Sequence, residues 1–211
     1  MLIEKPRVEL MTIIDGDAIL RHLELCCRTA YKSESNVGKD SHYRLIKTIL
    51  NKHHDSVLEH FAVSFRVFTS IAISREFNRH RFLSITERST RYCNYSKEKM
   101  GSNVVFCQPS DFEQMDEQVK QDYVEFCRTA EHGYLRLISA NVAPQRARDL
   151  LPLGTMTEVV YTGNLREWRH VLKLRTSPDA HPDARHIANL ILSDLQARIP
   201  IVFDDILKTE W

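Results

Sequence analysis

The chain has 211 residues, and its 29 basic and 28 acidic side chains leave a net charge of +1. A balance of this kind excludes nucleic-acid binding driven by overall charge. No apolar run approaches the roughly 20 residues that a membrane span requires, and the N-terminus lacks the apolar core of a signal peptide. Length and composition therefore predict one globular domain over residues 1–211 in the cytoplasm, with no membrane or nucleic-acid partner.

The spacing of cysteine and histidine does not favour a metal site. The number of cysteines is odd and no Cys-x-x-Cys pair occurs, so neither a zinc site nor a disulfide framework is predicted. The segment His54-Asp55-Ser56-Val57-Leu58 lacks both the glutamate and the second histidine of a zinc-binding HExxH helix. We expect no metal, and free thiols in a reducing compartment. The cysteines are Cys26, Cys27, Cys93, Cys107 and Cys127, of which Cys26, Cys27 and Cys127 are expected to be buried on helices.

Strands are predicted where apolar residues alternate, and helices where they recur every three to four positions. In the first half these patterns give a strand over 8–14, a helix opening at Asp17, a helix over 39–52, a strand over 61–70, and a helix capped by Ser70 that runs through Arg79. In the second half they give a strand over 104–106, a helix from Asp116 to about Ile138, a short helix over 144–151, a strand over 155–161, a helix from Asn164 to about Arg175, and a final helix from Pro182 to about Ile199. Long helices with a few non-adjacent strands indicate an α+β fold with a mixed sheet.

The most informative segment spans residues 75–91. It contains Arg79-His80-Arg81, then Ser89 and Arg91, and it is rich in hydroxyl side chains. A local cationic cluster on a neutral chain is typical of a pocket for an anion, and guanidinium groups bind phosphate bidentately. A nucleotide or phosphate site is therefore favoured, with a solvated helix face as the alternative.

Two other interpretations of this segment stay open. A hydrolase would use Ser89 as nucleophile, but the chain has no G-x-S-x-G turn and no base beside that serine. A non-catalytic nucleotide- or RNA-binding protein would use the same arginines without turnover. Neither G-x-G-x-x-G nor a P-loop is present, so a Rossmann or Walker turn does not bind the phosphate.

Arg175 is a separate candidate. It follows the apolar stretch 171–174 near the end of a predicted helix, where it can be half-buried. A half-buried arginine requires an anionic or carbonyl partner.

Five segments in this order resemble those of the flavin-dependent thymidylate synthases, and together they extend over nearly the whole chain. They are His54 to His60, Arg79-His80-Arg81 followed after seven residues by Ser89, Ser89-Thr90-Arg91-Tyr92, Ala147 to Pro152, and Asn164 to Arg175 with His181.

The resemblance implies FAD as cofactor, dUMP as substrate, and NADPH and 5,10-methylenetetrahydrofolate as co-substrates. It also implies a homotetramer whose sites are shared between subunits, and Arg175 as the catalytic residue that favours ionisation of the uracil ring. The implied FAD-binding residues are His54, Ser56, Arg79, His80, Arg81, Glu87, Asn164, Arg166, His170 and His181. The implied dUMP-binding residues are Glu76, Arg79, Glu87, Arg88, Ser89, Thr90, Arg91, Arg148 and Arg175.

The chain departs from the family pattern at Glu76, Thr90 and His170, where other members have Gln, Gly and Asn. These departures leave a sister activity, such as hydroxymethylation of dUMP, as an alternative. The Pro-Cys-His segment that carries the nucleophile of cysteine-dependent thymidylate synthases is absent. Polarisation of the pyrimidine by an arginine, with redox chemistry left to a cofactor, is the remaining route to methylation.

Overall fold

A computed structural model describes residues 1–98 and 101–209, and it confirms the α+β class. The helices are α1 (Gly16–Thr29), α2 (Ser41–Asn51), α3 (Ile71–Phe77), α4 (Glu117–Ser139), α5 (Pro144–Ala147), α6 (Leu165–Arg175) and α7 (Pro182–Arg198). The strands are β1 (Leu2–Glu4), β2 (Arg7–Leu10), β3 (Ala62–Ser70), β4 (Ser84–Glu87), β5 (Val105–Cys107) and β6 (Met156–Asn164). Short 3-10 helices cover Glu34–Asn36, Asp55–His60, Phe112–Gln114 and Arg148–Leu150.

The strands form two sheets. β1 and β5 pair in parallel, with Leu2 opposite Val105. The larger sheet has the order β2-β3-β6-β4. Its two central strands are nine residues long. In β6 buried and partly buried residues alternate from Thr157 onward, whereas in β3 the alternation ends at Val67 and residues 67–70 are all buried.

The chain divides into two compact units. Unit 1 comprises residues 1–7, 67–77 and 86–159. Unit 2 comprises residues 8–66, 78–85 and 160 onward. The prediction of one domain over 1–211 stays a prediction.

The core of unit 1 lies around two buried tyrosines. The rings of Tyr95 and Tyr134 are 5.7 Å apart at 79°, the edge-to-face arrangement that aromatic pairs prefer. The Tyr134 hydroxyl also accepts a hydrogen bond from the Tyr95 backbone N–H at 3.3 Å. Val104, Phe106, Cys127 and Ala147 complete this cluster.

The core of unit 2 includes Trp168 on α6, which is fully buried. Its Nε1 donates to the Val63 carbonyl at 2.9 Å, and its ring contacts Phe65 edge-on at 5.3 Å. These contacts fix α6 against the first half of β3, and so position the helix that begins at Asn164.

Helix starts follow the predicted capping residues in three of four cases. Ser70 accepts from Ile73 N–H at 3.2 Å, Asp116 from Gln118 N–H at 2.8 Å, and Asn164 from Glu167 N–H at 2.8 Å. Such caps satisfy N–H groups that the first turn leaves without intrahelical partners. In α1 the cap is Asp15, which accepts from Ala18 N–H at 3.1 Å, and Asp17 lies in the first turn.

Several other boundaries were wrong. The strand predicted over 8–14 is β2, which ends at Leu10. The helix capped by Ser70 is α3, which ends at Phe77 rather than at Arg79. Strands β1 and β4 were missed, and β4 lies in the polar segment that was interpreted as part of a binding site. Cys127 is buried as predicted, whereas Cys26 and Cys27 are only partly buried.

No helix in the part of the chain that the structure describes is long and apolar enough to cross a membrane.

Candidate functional site

The segment Arg79-His80-Arg81 forms a turn in unit 2 between the end of α3 and the start of β4. Contacts on both sides anchor this turn. The Tyr161 hydroxyl donates to Asn78 Oδ1 at 3.0 Å, and Leu83 N–H donates to the His80 carbonyl at 3.1 Å. Leu83 packs so closely on Gly163 that a Cβ at Gly163 would lie 2.6 Å from Leu83 Cδ2.

This turn forms one wall of a cavity of about 570 Å³, which lies within the usual size range of ligand pockets. The opposite wall is the first turn of α6 and the 3-10 helix at Asp55–His60. The lining residues are Glu59, Arg79, His80, Arg81, Phe82, Asn164, Arg166, Glu167 and His170.

Three arginines and two glutamates line the cavity. Arg79 and Arg81 are exposed, and within residues 1–98 and 101–209 their guanidinium groups have no hydrogen-bond or ion-pair partner. Arg166 pairs with Glu59 at 2.5 Å, and both side chains are about half exposed. The first turn of α6 adds N–H groups and the positive end of the helix dipole. The arrangement can bind phosphate or another anion.

His80 is buried against this cavity and has a defined protonation pattern. Its Nε2 lies 3.0 Å from Nε of Arg175, at the last position of α6. Because a guanidinium can only donate, Nε2 must accept, and the ring proton is on Nδ1. The His170 ring lies edge-on at 5.9 Å between centroids.

Glu167 lies in the first turn of α6, on the wall opposite the Arg79-His80-Arg81 turn, and is only 8% exposed. Its Oε1 is buried without a hydrogen-bond partner among the described residues. Burial raises the pKa of the Glu167 carboxyl, and the charge of His170 acts in the opposite direction.

A second group of predicted residues lies in unit 1 and begins at Glu87, the last residue of β4. Glu87 accepts from the hydroxyls of Ser74 and Thr157, at 2.9 and 3.0 Å. The Arg88 guanidinium is ion-paired with Glu158. These bonds fix the two residues that precede the hydroxyl-rich loop.

In that loop, Arg148 Nη1 donates to Thr90 Oγ1 at 3.1 Å. Ser89 Oγ accepts from Arg91 N–H at 3.3 Å. Arg91 itself is exposed, with its guanidinium carbon 5.3 Å from the Tyr92 ring centre. A shallow, open cavity of about 410 Å³ is lined by Arg91, Gln145, Arg146, Arg148 and Asp149. Three arginines against one aspartate again favour an anion.

The structure therefore brings six of the ten predicted FAD-binding residues to one cavity and leaves three others of unit 2 away from its lining. His54 lines a different cavity of about 200 Å³, and Ser56 lies exposed in the 3-10 helix. His181 caps α7, where its Nδ1 accepts from Asp183 N–H at 3.2 Å. Among the predicted residues of unit 1, Glu76 is half-buried at the end of α3.

Sequence reasoning missed Glu59, Phe82 and Glu167 as lining residues. Phe82 directly follows Arg79-His80-Arg81, and this position beside a cationic motif could have marked it as a lining residue from sequence. Its side chain is 84% exposed in the structure. Glu167 was not singled out from sequence, because its place in the cavity depends on tertiary packing.

Arginine-lined cavities in an α+β fold, such as the two described here, are suited to anionic small molecules. A sequence profile for the family described as thymidylate synthase complementing protein matches residues 13–201. The chain therefore belongs to this family, and the resemblance carried by the five segments is confirmed at that level.

Two relatives are named flavin-dependent thymidylate synthase. The one from Mycolicibacterium gilvum (strain PYR-GCK) is 32% identical, and the one from Mycobacterium leprae (strain Br4923) is 33% identical. Each match covers 95% of this chain and 84% of the relative.

Among solved structures, the UMP/dUMP methylase PolB from Streptomyces cacaoi, bound with 5-Br dUMP, superposes with a TM-score of 0.79. The match covers 97% of this chain and 96% of that one. At 24% sequence identity, this likeness concerns the fold alone.

Proposed function

We propose that this protein is an FAD-dependent thymidylate synthase, a methyltransferase that converts dUMP to dTMP. In this proposal 5,10-methylenetetrahydrofolate donates the carbon and NADPH is the reductant. The observation that supports it most strongly is the cavity formed by Arg79-His80-Arg81 and the start of α6, in a chain of this family.

The residues of this cavity fit FAD. The dinucleotide carries two phosphates, for which Arg79, Arg81 and the N–H groups of the first turn of α6 are suitable partners. Its ring and ribityl chain carry hydrogen-bonding groups that match Asn164 and His170. When bound, the flavin would supply the redox chemistry that no amino-acid side chain provides.

The proposed role of Arg91 and Arg148 is to bind the phosphate of dUMP. Arg148 is oriented by its bond to Thr90, and Arg91 extends from a loop fixed by Ser89. A phosphate contact of this kind positions the nucleotide and stabilises ground and transition states equally.

The proposed role of Arg175 is to stabilise negative charge that develops on the uracil ring. It is half-buried, and its Nε is bound to His80, which fixes the plane of the guanidinium group. A charge held in a fixed orientation needs little reorganisation as the reaction proceeds, which is the basis of electrostatic catalysis.

The cysteines of this chain do not favour a covalent route. Cys107 and Cys127 are buried, and burial raises the pKa of the Cys127 thiol, which disfavours the nucleophilic thiolate. The cysteines are all free, which agrees with the cytoplasm as the proposed location.

A homotetramer with shared sites is proposed from the resemblance, and the exposed Phe82 and Tyr92 are candidate contacts.

Flavin binding and nucleotide-dependent oxidation of the flavin test this proposal. Purified protein should be yellow, and NADPH should bleach it in the absence of oxygen. Adding dUMP with methylenetetrahydrofolate should restore the colour, whereas either compound alone should not. A colourless protein that binds nucleotides would indicate a non-catalytic binding protein. Turnover without any reductant would indicate a hydrolase. Mass spectrometry of the product separates dTMP from a hydroxymethylated nucleotide.

A further inference from the structure

Glu167 has no structural role that explains its burial. It is the third residue of α6, the position from which a glutamate can bond back to the N-cap backbone. The cap here consists of Asn164 accepting from Glu167 N–H, while Glu167 Oε1 has no partner in the described part of the chain. A buried carboxyl oxygen without a partner costs free energy, so its retention calls for a ligand or a function.

The surroundings of Glu167 distinguish it from the other acid on the cavity wall. Glu59 is exposed and ion-paired with Arg166. Glu167 is 8% exposed, lines the same cavity, and has no ion pair in residues 1–98 and 101–209. Glu167 is thus a hydrogen-bond acceptor in a cavity whose arginines can only donate.

We propose that Glu167 accepts a hydrogen bond from a donor group of the flavin nucleotide, a hydroxyl or a ring N–H, and thereby selects this ligand over simple phosphates. The inference rests on the proposed function, because it takes the cavity to be the flavin site. The torsion that turns a carboxyl group is broad, so either oxygen of Glu167 can face the cavity. The arginines bind the phosphates, and Glu167 recognises a part of the ligand that an inorganic anion lacks.

The test is a titration of flavin-free protein with FAD and with FMN, followed by flavin fluorescence. Glu167→Met removes the acceptor at similar volume, and Glu167→Gln keeps one acceptor oxygen without the charge. Glu125→Met, on the exposed face of α4, is the matched control. We expect Glu167→Met to raise the Kd for FAD by about 5- to 150-fold, Glu167→Gln by a smaller factor, and the control variant by less than twofold.

The two ligands report which half of the dinucleotide is recognised. If the Glu167 variants lose affinity equally for FMN and FAD, the donor group lies in the flavin half. If they lose affinity for FAD alone, the donor group lies in the adenosine half. Circular dichroism checks that both Glu167 variants are folded. If both folded variants bind FAD with wild-type affinity, the inference is overturned and the proposed function is left intact. If Glu167→Met does not fold, Glu167→Leu takes its place, and an unchanged Kd for FAD in that variant overturns the inference. Failure of the unaltered protein to bind any flavin removes the proposed function and this inference with it.

Discussion

Arg175 Nε donates to His80 Nε2 at 3.0 Å, so the last residue of α6 fixes the histidine in the Arg79-His80-Arg81 turn. Both residues were predicted from sequence, Arg175 as the group facing the uracil and His80 as a contact to the flavin. The sequence did not indicate that they touch each other. Their bond couples the orientation of the arginine to the protonation of the histidine.

The first prediction follows from this bond. In the wild-type protein His80 should be the tautomer with the proton on Nδ1, because Arg175 cannot accept a proton from Nε2. Nitrogen-15 NMR of labelled histidine should show His80 Nε2 as the unprotonated nitrogen. Arg175→Met should give a mixture of tautomers, while Lys173→Met, an exposed position on the same helix, should leave the pattern unchanged. A proton on Nε2 in the wild-type protein would contradict the bond.

The second prediction separates two arginine roles. Arg91→Ala should mainly raise KM for dUMP, because a phosphate contact acts in ground and transition states alike. Loss of one charge-assisted hydrogen bond costs about 1.5–3 kcal/mol, which is about 10- to 150-fold in affinity. Arg175→Ala should mainly lower kcat, because its charge acts on negative charge that grows during the reaction.

Lysine variants extend this comparison. Lysine should partly rescue position 91, where a point charge still attracts phosphate. It should rescue position 175 poorly, because the planar Nε donor to His80 is lost. Steady-state kinetics in dUMP measure both parameters, and identical phenotypes for the two alanine variants would rule out the division.

The third prediction concerns Ser89, whose Oγ accepts a hydrogen bond from the Arg91 backbone. No base lies beside it in the sequence, so we expect a binding role. Ser89→Ala should weaken dUMP binding and retain measurable turnover at saturating substrate. Trapping of a covalent nucleotide adduct on Ser89 would identify it as a nucleophile instead.

The fourth prediction concerns stability and pH in the absence of flavin. Burial raises the pKa of Glu167 in the folded chain, so the unfolded chain releases this proton at a lower pH. The contribution of Glu167 to stability therefore becomes less favourable as pH rises above the ordinary glutamate value of about 4.3. The Tm of Glu167→Gln minus that of the wild type should become more positive between pH 4 and pH 8. A difference that does not change with pH over this range would refute the burial effect.

Local signals in the sequence predicted the parts of the fold that depend on local interactions. Ser70, Asp116 and Asn164 cap helices because short polar side chains reach the N–H groups two or three residues on. The strand at β3 was predicted because the apolar residues Phe61, Val63, Phe65 and Val67 alternate with other residues.

What the sequence did not reveal depends on tertiary contacts. Asp15 and Asp17 are both good capping residues, but Asp15 is the cap, and Asp17 instead contacts Arg21 and His42. The place of Glu167 in the cavity depends on tertiary packing, because residues 79–82 of the same cavity lie more than 80 residues earlier in the chain. For the candidate site, sequence patterns predicted that the arginines bind an anion, but they did not predict that Glu167 lies in the same cavity.

The central claim is tested most directly by tritium release from dUMP labelled at carbon 5, in the presence of FAD, NADPH and methylenetetrahydrofolate. The account predicts release of tritium to water together with formation of dTMP, both dependent on the reductant and both strongly reduced in Arg175→Ala. Bound flavin without release of tritium, or release that is unaffected by Arg175→Ala, would contradict it.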